Sequence, residues 1–232
     1  MSRQIVLDTE TTGLEISQGH RIIEIGCIEV INRRVTNNHW HHYINPDRKV
    51  DHGAFEIHGI SDEFLADKPR FHELVDSFLE YIEGAELIIH NAPFDVGFLN
   101  NEIALLDEPK PAIGDICSVL DTLVMARQKH PGQKNNLDAL CRRYDIDNSK
   151  RTLHGAVLDS EILAEVYLLM TGGQTALTLE AEDVSQDGGD QGIALADIKM
   201  KDLMVWSVDE PDQEKHREYL NMLQEKAGKC AW

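Results

Sequence analysis

Up to Met170 the chain alternates short apolar runs with stretches of helical periodicity, and this alternation limits its fold more than any other feature. Ile5-Val6-Leu7, Arg21 to Ile31, Val35 to Ile44 and Leu87-Ile88-Ile89 read as strands. Phe71 to Ile82 places Leu74, Val75, Phe78, Leu79 and Ile82 on one helical face. Phe94 to Leu106, Leu120 to Gln128 and Leu137 to Tyr144 read as further helices, and a last one runs through Ile162, Leu163, Val166, Tyr167 and Met170 until Gly172-Gly173 stops it. The pattern predicts an α/β domain over residues 1–173, with a mixed central sheet flanked by helices and a C-terminal tail beyond it. At 232 residues the chain is long enough for one full core plus that tail.

Three segments carry chemistry. The run Ile5-Val6-Leu7 ends in Asp8-Thr9-Glu10-Thr11-Thr12-Gly13, and because side chains alternate along a strand, Asp8 and Glu10 point the same way. Two like charges at the end of an apolar strand are costly unless neutralised, and a hard cation with oxygen ligands does so, although a solvated strand edge gives the same letters. In His90-Asn91-Ala92-Pro93-Phe94-Asp95, Asn91 and Pro93 mark a strand-to-helix junction with Asp95 in the first turn. By itself Asp95 also fits an acid favoured there by the helix dipole. In Leu153-His154-Gly155-Ala156-Val157-Leu158-Asp159, the spacing from His154 to Asp159 lies off one helical face, so Asp159 belongs to the helix and His154 to the loop before it. His39, His41 and His42 invite a metal reading, but they show no obvious Cys or acidic partner and read as surface.

Taken together, Asp-x-Glu-Thr-Thr-Gly, Asn-x-x-Phe-Asp and His followed five residues later by Asp resemble the DEDDh exonuclease superfamily. Within it the chain resembles, over nearly its whole length, the proofreading epsilon subunits of bacterial DNA polymerase III. Arg3 to Glu10, Arg21 to Gly26, Asn136 to Cys141 and Asp147 to Gly155 carry that likeness. The resemblance implies a ribonuclease H-like exonuclease fold and two divalent cations, Mg²⁺ or Mn²⁺. Asp8, Glu10 and Asp159 are implied for one, with Asp8 bridging to a second that Asp95 supports through water; His154 is the implied general base. The same likeness makes Thr9, Thr11 and His58 substrate contacts beside Asp8, Glu10 and Asp159. It also exposes a departure: the family's acidic residue five positions before that His is Gly53 here.

Composition narrows the setting. With 41 acidic and 22 basic residues the net charge is -19, opposite to the footprint of a protein that grips long duplex. Weak intrinsic affinity is expected, limited to a few nucleotides of a single-stranded or frayed DNA 3' end, with a tether raising the effective concentration. Cys27, Cys117, Cys141 and Cys230 lack CxxC spacing and read as reduced thiols. No apolar run reaches the length of a membrane span and no signal peptide is evident, so a soluble, cytoplasmic protein is expected.

The tail supplies the tether. Gln174-Thr175-Ala176-Leu177-Thr178-Leu179 resembles the family's sliding-clamp motif, with Gln174, Leu177 and Leu179 as contacts; a frayed helix end is the alternative. Residues 180–197 form an acidic linker with little apolar content. Residues 198–232 regain apolar side chains, including Leu203, Trp206, Tyr219 and Leu223, in a piece too short for its own core. The resemblance makes this the docking segment for the polymerase catalytic (alpha) subunit; packing back on the nuclease domain is the alternative. A small theta-type subunit on the nuclease domain is also implied. Three functions stay open: a proofreading exodeoxyribonuclease, an RNA-trimming DEDDh relative using the same five residues, and a non-catalytic accessory protein.

Overall fold

In a computed structural model of the chain, residues 3–149, 151 and 153–172 are described, together with the helical positions Glu214, His216, Arg217 and Asn221. The chain divides into two compact units, Met1–Thr178 and Leu179–Trp232. The motif at 174–179, the linker at 180–197 and the rest of the tail at 198–232 lie outside the described residues.

The first unit is built on five strands: β1 (Arg3–Thr11), β2 (Ile22–Ile31), β3 (Arg34–Tyr43), β4 (Glu86–Ile89) and β5 (Ser118–Asp121), in the order β3-β2-β1-β4-β5. β1 runs antiparallel to β2 and parallel to β4, so the sheet is mixed, as expected. Around it lie α1 (His52–His58), α2 (Asp62–Leu65), α3 (Phe71–Ile82), α4 (Ala92–Ala104), α5 (Ile113–Ile116), α6 (Thr122–Lys129), α7 (Leu137–Tyr144) and α8 (Ala156–Thr171).

Alternation along the strands sorts the core into two layers. Ile5, Leu7, Ile25, Cys27, Leu87 and Ile89 pack on one side with Phe71, Val75, Phe78 and Ile82 of α3 and Phe98 and Leu99 of α4. Val6, Ile28, Val30 and Ile88 pack on the other with Leu140 of α7 and Ile162, Leu163 and Val166 of α8. Each buried aliphatic or aromatic side chain contributes about 1.5–3 kcal/mol, so both layers hold β1 rigidly at the centre.

One expected element is corrected. Leu120 does not begin a helix: it lies in β5, paired in register with Ile88, and the helix starts at Thr122. Asp121 sets that boundary, its carboxylate accepting from Leu123 N at 2.8 Å and Val124 N at 3.2 Å. The short helices α1 and α2 carry no periodicity that announces them.

Candidate active site

The C-terminal part of β1 delivers Asp8 and Glu10 to the layer beneath α8. Register places Asp8 opposite Gly26 and Glu10 opposite Glu24 on β2. A Cβ at Gly26 would sit 2.4 Å from the backbone of Ala156, so only glycine lets the start of α8 approach this closely. Two hydrogen bonds fix the approach: Ala156 N donates to Glu24 at 3.1 Å and Ser160 Oγ donates to the Gly26 carbonyl at 3.0 Å. Asp159, in the first turn of α8, is thereby held over the two acids of β1.

Asp95 arrives from β4. Asn91 caps α4 with a left-handed backbone (φ 68°), which Asn tolerates better than most residues, and Pro93 occupies the first turn as expected. Asp95 is buried in that turn and accepts from Thr9 Oγ1 at 2.7 Å. The Thr9 hydroxyl thus ties β1 to α4, and the Thr11 hydroxyl donates to the Gly13 carbonyl at 2.7 Å.

Asp8, Glu10, Asp95, His154 and Asp159 line one cleft of about 510 Å³. Ligand atoms of Glu10, His154 and Asp159 lie within 4.8 Å of one another. His154 sits on the loop before α8, as expected, with its backbone N–H donating to the Ile57 carbonyl at 3.1 Å and its ring 3.3 Å from Asp159 Oδ2. Burial, then the charges of Asp95, Glu10 and Asp159, raise the Asp8 carboxyl well above its ordinary value. Burial, Asp159 and Glu24 push Glu10 up to about 8, and burial pushes Asp95 up to about 7 against the hydrogen bond from Thr9. Clustered carboxylates with this much resistance to ionising fit a divalent cation, whose charge would reverse it.

Asp159 differs. Burial raises its pKa, but the Arg151 guanidinium outweighs this and holds it below the ordinary value. Arg151 Nε donates to Asp159 Oδ1 at 2.5 Å and Nη2 to Oδ2 at 2.7 Å, while Nη1 donates to Asp138 at 2.7 Å. Nη2 also lies 3.0 Å from His154 Nδ1.

A second cleft, of about 540 Å³, shares Thr9, Glu10, Leu14 and Phe94 with the first and continues along Thr11, Gly53, Ile57 and His58. It is more apolar, with Leu14 73% and Ile57 48% exposed. His58 Nδ1 accepts from Ile60 N at 3.0 Å, and its buried Nε2 has no hydrogen-bond partner among the described residues. Burial lowers the His58 pKa, leaving a neutral ring whose Nε2 carries the proton.

Sequence reasoning missed Glu24 and Arg151. Glu24 is buried, anchors α8 and pairs with His41 Nε2 at 2.8 Å, which corrects the expectation that the histidines of β3 lack an acidic partner. That partner lies on the neighbouring strand, where no spacing along the chain reveals it. Arg151 stands three residues before His154, and a cation so close to a motif acid was the available signal.

Four carboxylates and a histidine converge on this sheet, and the likenesses that follow make the chain a metal-dependent exonuclease. Residues 5–167 match the family model of the RNase T type described as exonuclease. Exonuclease X in complex with 5' overhanging duplex DNA superposes with a TM-score of 0.57 at 26% identity, over 74% of this chain and 92% of that one. An Escherichia coli exonuclease I–ssDNA complex with zinc bound superposes at 0.64 and 20% identity, over 75% and 41%. In sequence the chain is 53% identical to DNA polymerase III subunit epsilon of Salmonella typhimurium, over 100% of this chain and 98% of the relative. It is 52% identical to that of Escherichia coli over the same shares, and 48% to that of Rickettsia felis over 95% and 96%. The chain belongs to the DNA polymerase III subunit epsilon family. Among the described residues no helix is long and apolar enough to cross a membrane.

Proposed function

We propose that the protein is the 3'-5' proofreading subunit of a replicative DNA polymerase III, removing mispaired deoxynucleotides from a frayed 3' end. The observation that carries this reading is the single cleft in which Asp8, Glu10, Asp95 and Asp159 gather beside His154. Asp8, Glu10 and Asp159 would hold one divalent cation, Mg²⁺ or Mn²⁺, and Asp8 and Asp95 would support a second. Bound there, the two cations supply the positive charge that favours ionised water and the departing 3'-oxygen. His154, exposed on its loop, accepts the proton of the attacking water. Thr9 keeps Asp95 in one rotamer.

The apolar cleft along Leu14, Ile57 and Phe94 takes the terminal nucleoside, and His58 Nε2–H is the donor that meets it. Thr11 contacts the nucleotide through its backbone, since its hydroxyl is spent on Gly13. Gly53 lines this cleft without a side chain, so the 3'-hydroxyl receives no carboxylate from that position. Selectivity arises because a mispaired terminus melts into a single-strand site at least cost. The segment Gln174 to Leu179 is proposed to reach the sliding clamp, residues 198–232 the polymerase alpha subunit, and the nuclease domain a theta-type subunit. These likenesses rest on sequence alone.

Incubating the purified chain and Mg²⁺ with DNA and RNA oligonucleotides bearing paired or mispaired 3' ends tests the reading. Faster removal of mispaired DNA termini is expected; preference for RNA, or no digestion, would overturn it.

A further inference from the structure

The acidity of the chain is unevenly placed. Residues 122–143 carry Arg127, Lys129, Lys134, Arg142 and Arg143 against one acid, Asp138, in a chain of net charge -19. Arg127, Lys129, Lys134 and Arg142 are exposed and make no ion pair among the described residues. Arg3, Arg21, Arg70 and Lys110 are each taken by a carboxylate at 2.6 to 2.8 Å. Arg127 and Lys129 in α6, Lys134 in the loop that follows and Arg142 in α7 are therefore left available close together.

The loop that carries Lys134 is pinned. Asn135 is buried, its amide donating to the carbonyls of Gln133 at 3.1 Å and His130 at 3.3 Å and its oxygen accepting from Arg143 Nη1 at 3.0 Å. Arg143 Nη2 donates to the Lys134 carbonyl at 2.8 Å, and Asn136 caps α7. Between this loop and α6 runs a cleft lined by Leu123, Arg127, Gln133 and Asn135 that shares His90, Asn91 and Asn136 with the carboxylate cleft. It shares no residue with the apolar nucleoside cleft. Three clefts thus stand in series with the carboxylates in the middle. In exonucleolysis the leaving group is the 3'-oxygen of the penultimate nucleotide, so the strand must depart on the side away from the terminal nucleoside.

We propose that the cleft between α6 and α7 is a subsite for the sugar-phosphate backbone of the penultimate and preceding nucleotides, with Arg127, which lines it, and Lys134, exposed between its lining residues Gln133 and Asn135, contacting their phosphates. The proposal rests on the exonuclease reading. It gives a strongly acidic protein a short cationic ledge at the one place a single strand must cross.

The test compares the full chain with its R127A/K134A variant on two substrates, an octanucleotide and the p-nitrophenyl ester of thymidine 5'-monophosphate, which has no upstream nucleotide. The variant should lose about tenfold or more in kcat/KM on the octanucleotide at low salt, with the salt slope shrinking by about 1.4, or ~0.7 per lost single-strand phosphate contact. Hydrolysis of the ester should be unchanged. Equal loss on both substrates with no recovery in R127K/K134R overturns the proposal, as does an unchanged octanucleotide rate. Loss of polymerase association with normal octanucleotide hydrolysis also overturns it, in favour of a protein-docking face. Failure of the unaltered chain on both substrates would instead sink the exonuclease reading.

Discussion

Two sets of buried carboxylates meet α4, and they are neutralised in opposite ways. Glu102 is 1% exposed and receives both arms of the Arg21 fork, at 2.7 and 2.6 Å, plus the Ile22 N–H at 3.1 Å. Asp8, Glu10 and Asp95 make no ion pair with any Lys or Arg among the described residues, and their pKa values are raised. Glu102 carries its counter-charge within the fold and joins α4 to the start of β2. The other set is held by the same rigid elements without a counter-charge in the fold, so it keeps protons that an arriving cation would displace.

The largest expected effect breaks the second set. Asp8→Ala should lower kcat/KM on a mispaired DNA end by about 10³-fold or more, since the loss of a metal position removes several kcal/mol of transition-state stabilisation. Asp8→Asn should at the same time raise the Tm of the metal-free protein at neutral pH, because an acid that ionises far more readily in the unfolded chain is replaced by a neutral side chain of the same shape. A fall in Tm would show that Asp8 is a structural acid like Glu102. The reverse holds for Glu102→Gln, which leaves Arg21 half-buried without its partner and should cost about 3–5 kcal/mol of stability in denaturant titration. Where the variant remains folded, the turnover number should persist; its loss would show that α4 positions Asp95 through this pair.

A smaller effect follows from pH. Glu10 and Asp95 are acids whose folded pKa values, about 8 and about 7, exceed those of the unfolded chain, near ~4. The folded form keeps protons that the unfolded chain has released, so their protonation contributes stability at low pH that is lost as pH rises through those values. Acids held low, such as Asp159, have completed their opposite contribution above the unfolded carboxylate range, and buried histidines such as His58 theirs above about 6.5. Between pH 7 and 8.5, then, the Tm measured with a chelator should fall by a few degrees. Saturating Mg²⁺ should flatten that slope, and a flat profile with chelator would contradict the raised pKa values.

What could be read from the sequence was local. Period-two and helical patterns located β2, β3, α3 and α7 to within about two residues, and Pro93 placed Asp95 in the first turn of its helix. The motif acids could be assigned to one strand face because alternation requires it. Contacts between distant segments were not legible: Glu24 reaches Ala156 across 132 residues, and His41 finds Glu24 only through strand pairing. β5 was lost inside an apolar stretch that also suits a helix, although Asp121-Thr122 held the capping signal. Gly26 carries no chemical signal at all, and its importance comes from the helix that lands on it.

The smallest expected effect concerns the one acid that joins both descriptions. Asp159 belongs to the metal cleft, yet it is gripped by Arg151 much as Glu102 is gripped by Arg21. A guanidinium that fills both oxygens of Asp159 competes with a cation for them, and it also neutralises the cleft while no cation is there. Arg151→Gln should therefore tighten Mn²⁺ binding, measured by calorimetry, by about tenfold, equivalent to ~1.4 kcal/mol, and lower the Tm of the metal-free protein. Weaker Mn²⁺ binding would give Arg151 the opposite part, that of orienting Asp159 and His154 for the metal, and would place Asp159 with the acids that the fold neutralises for itself.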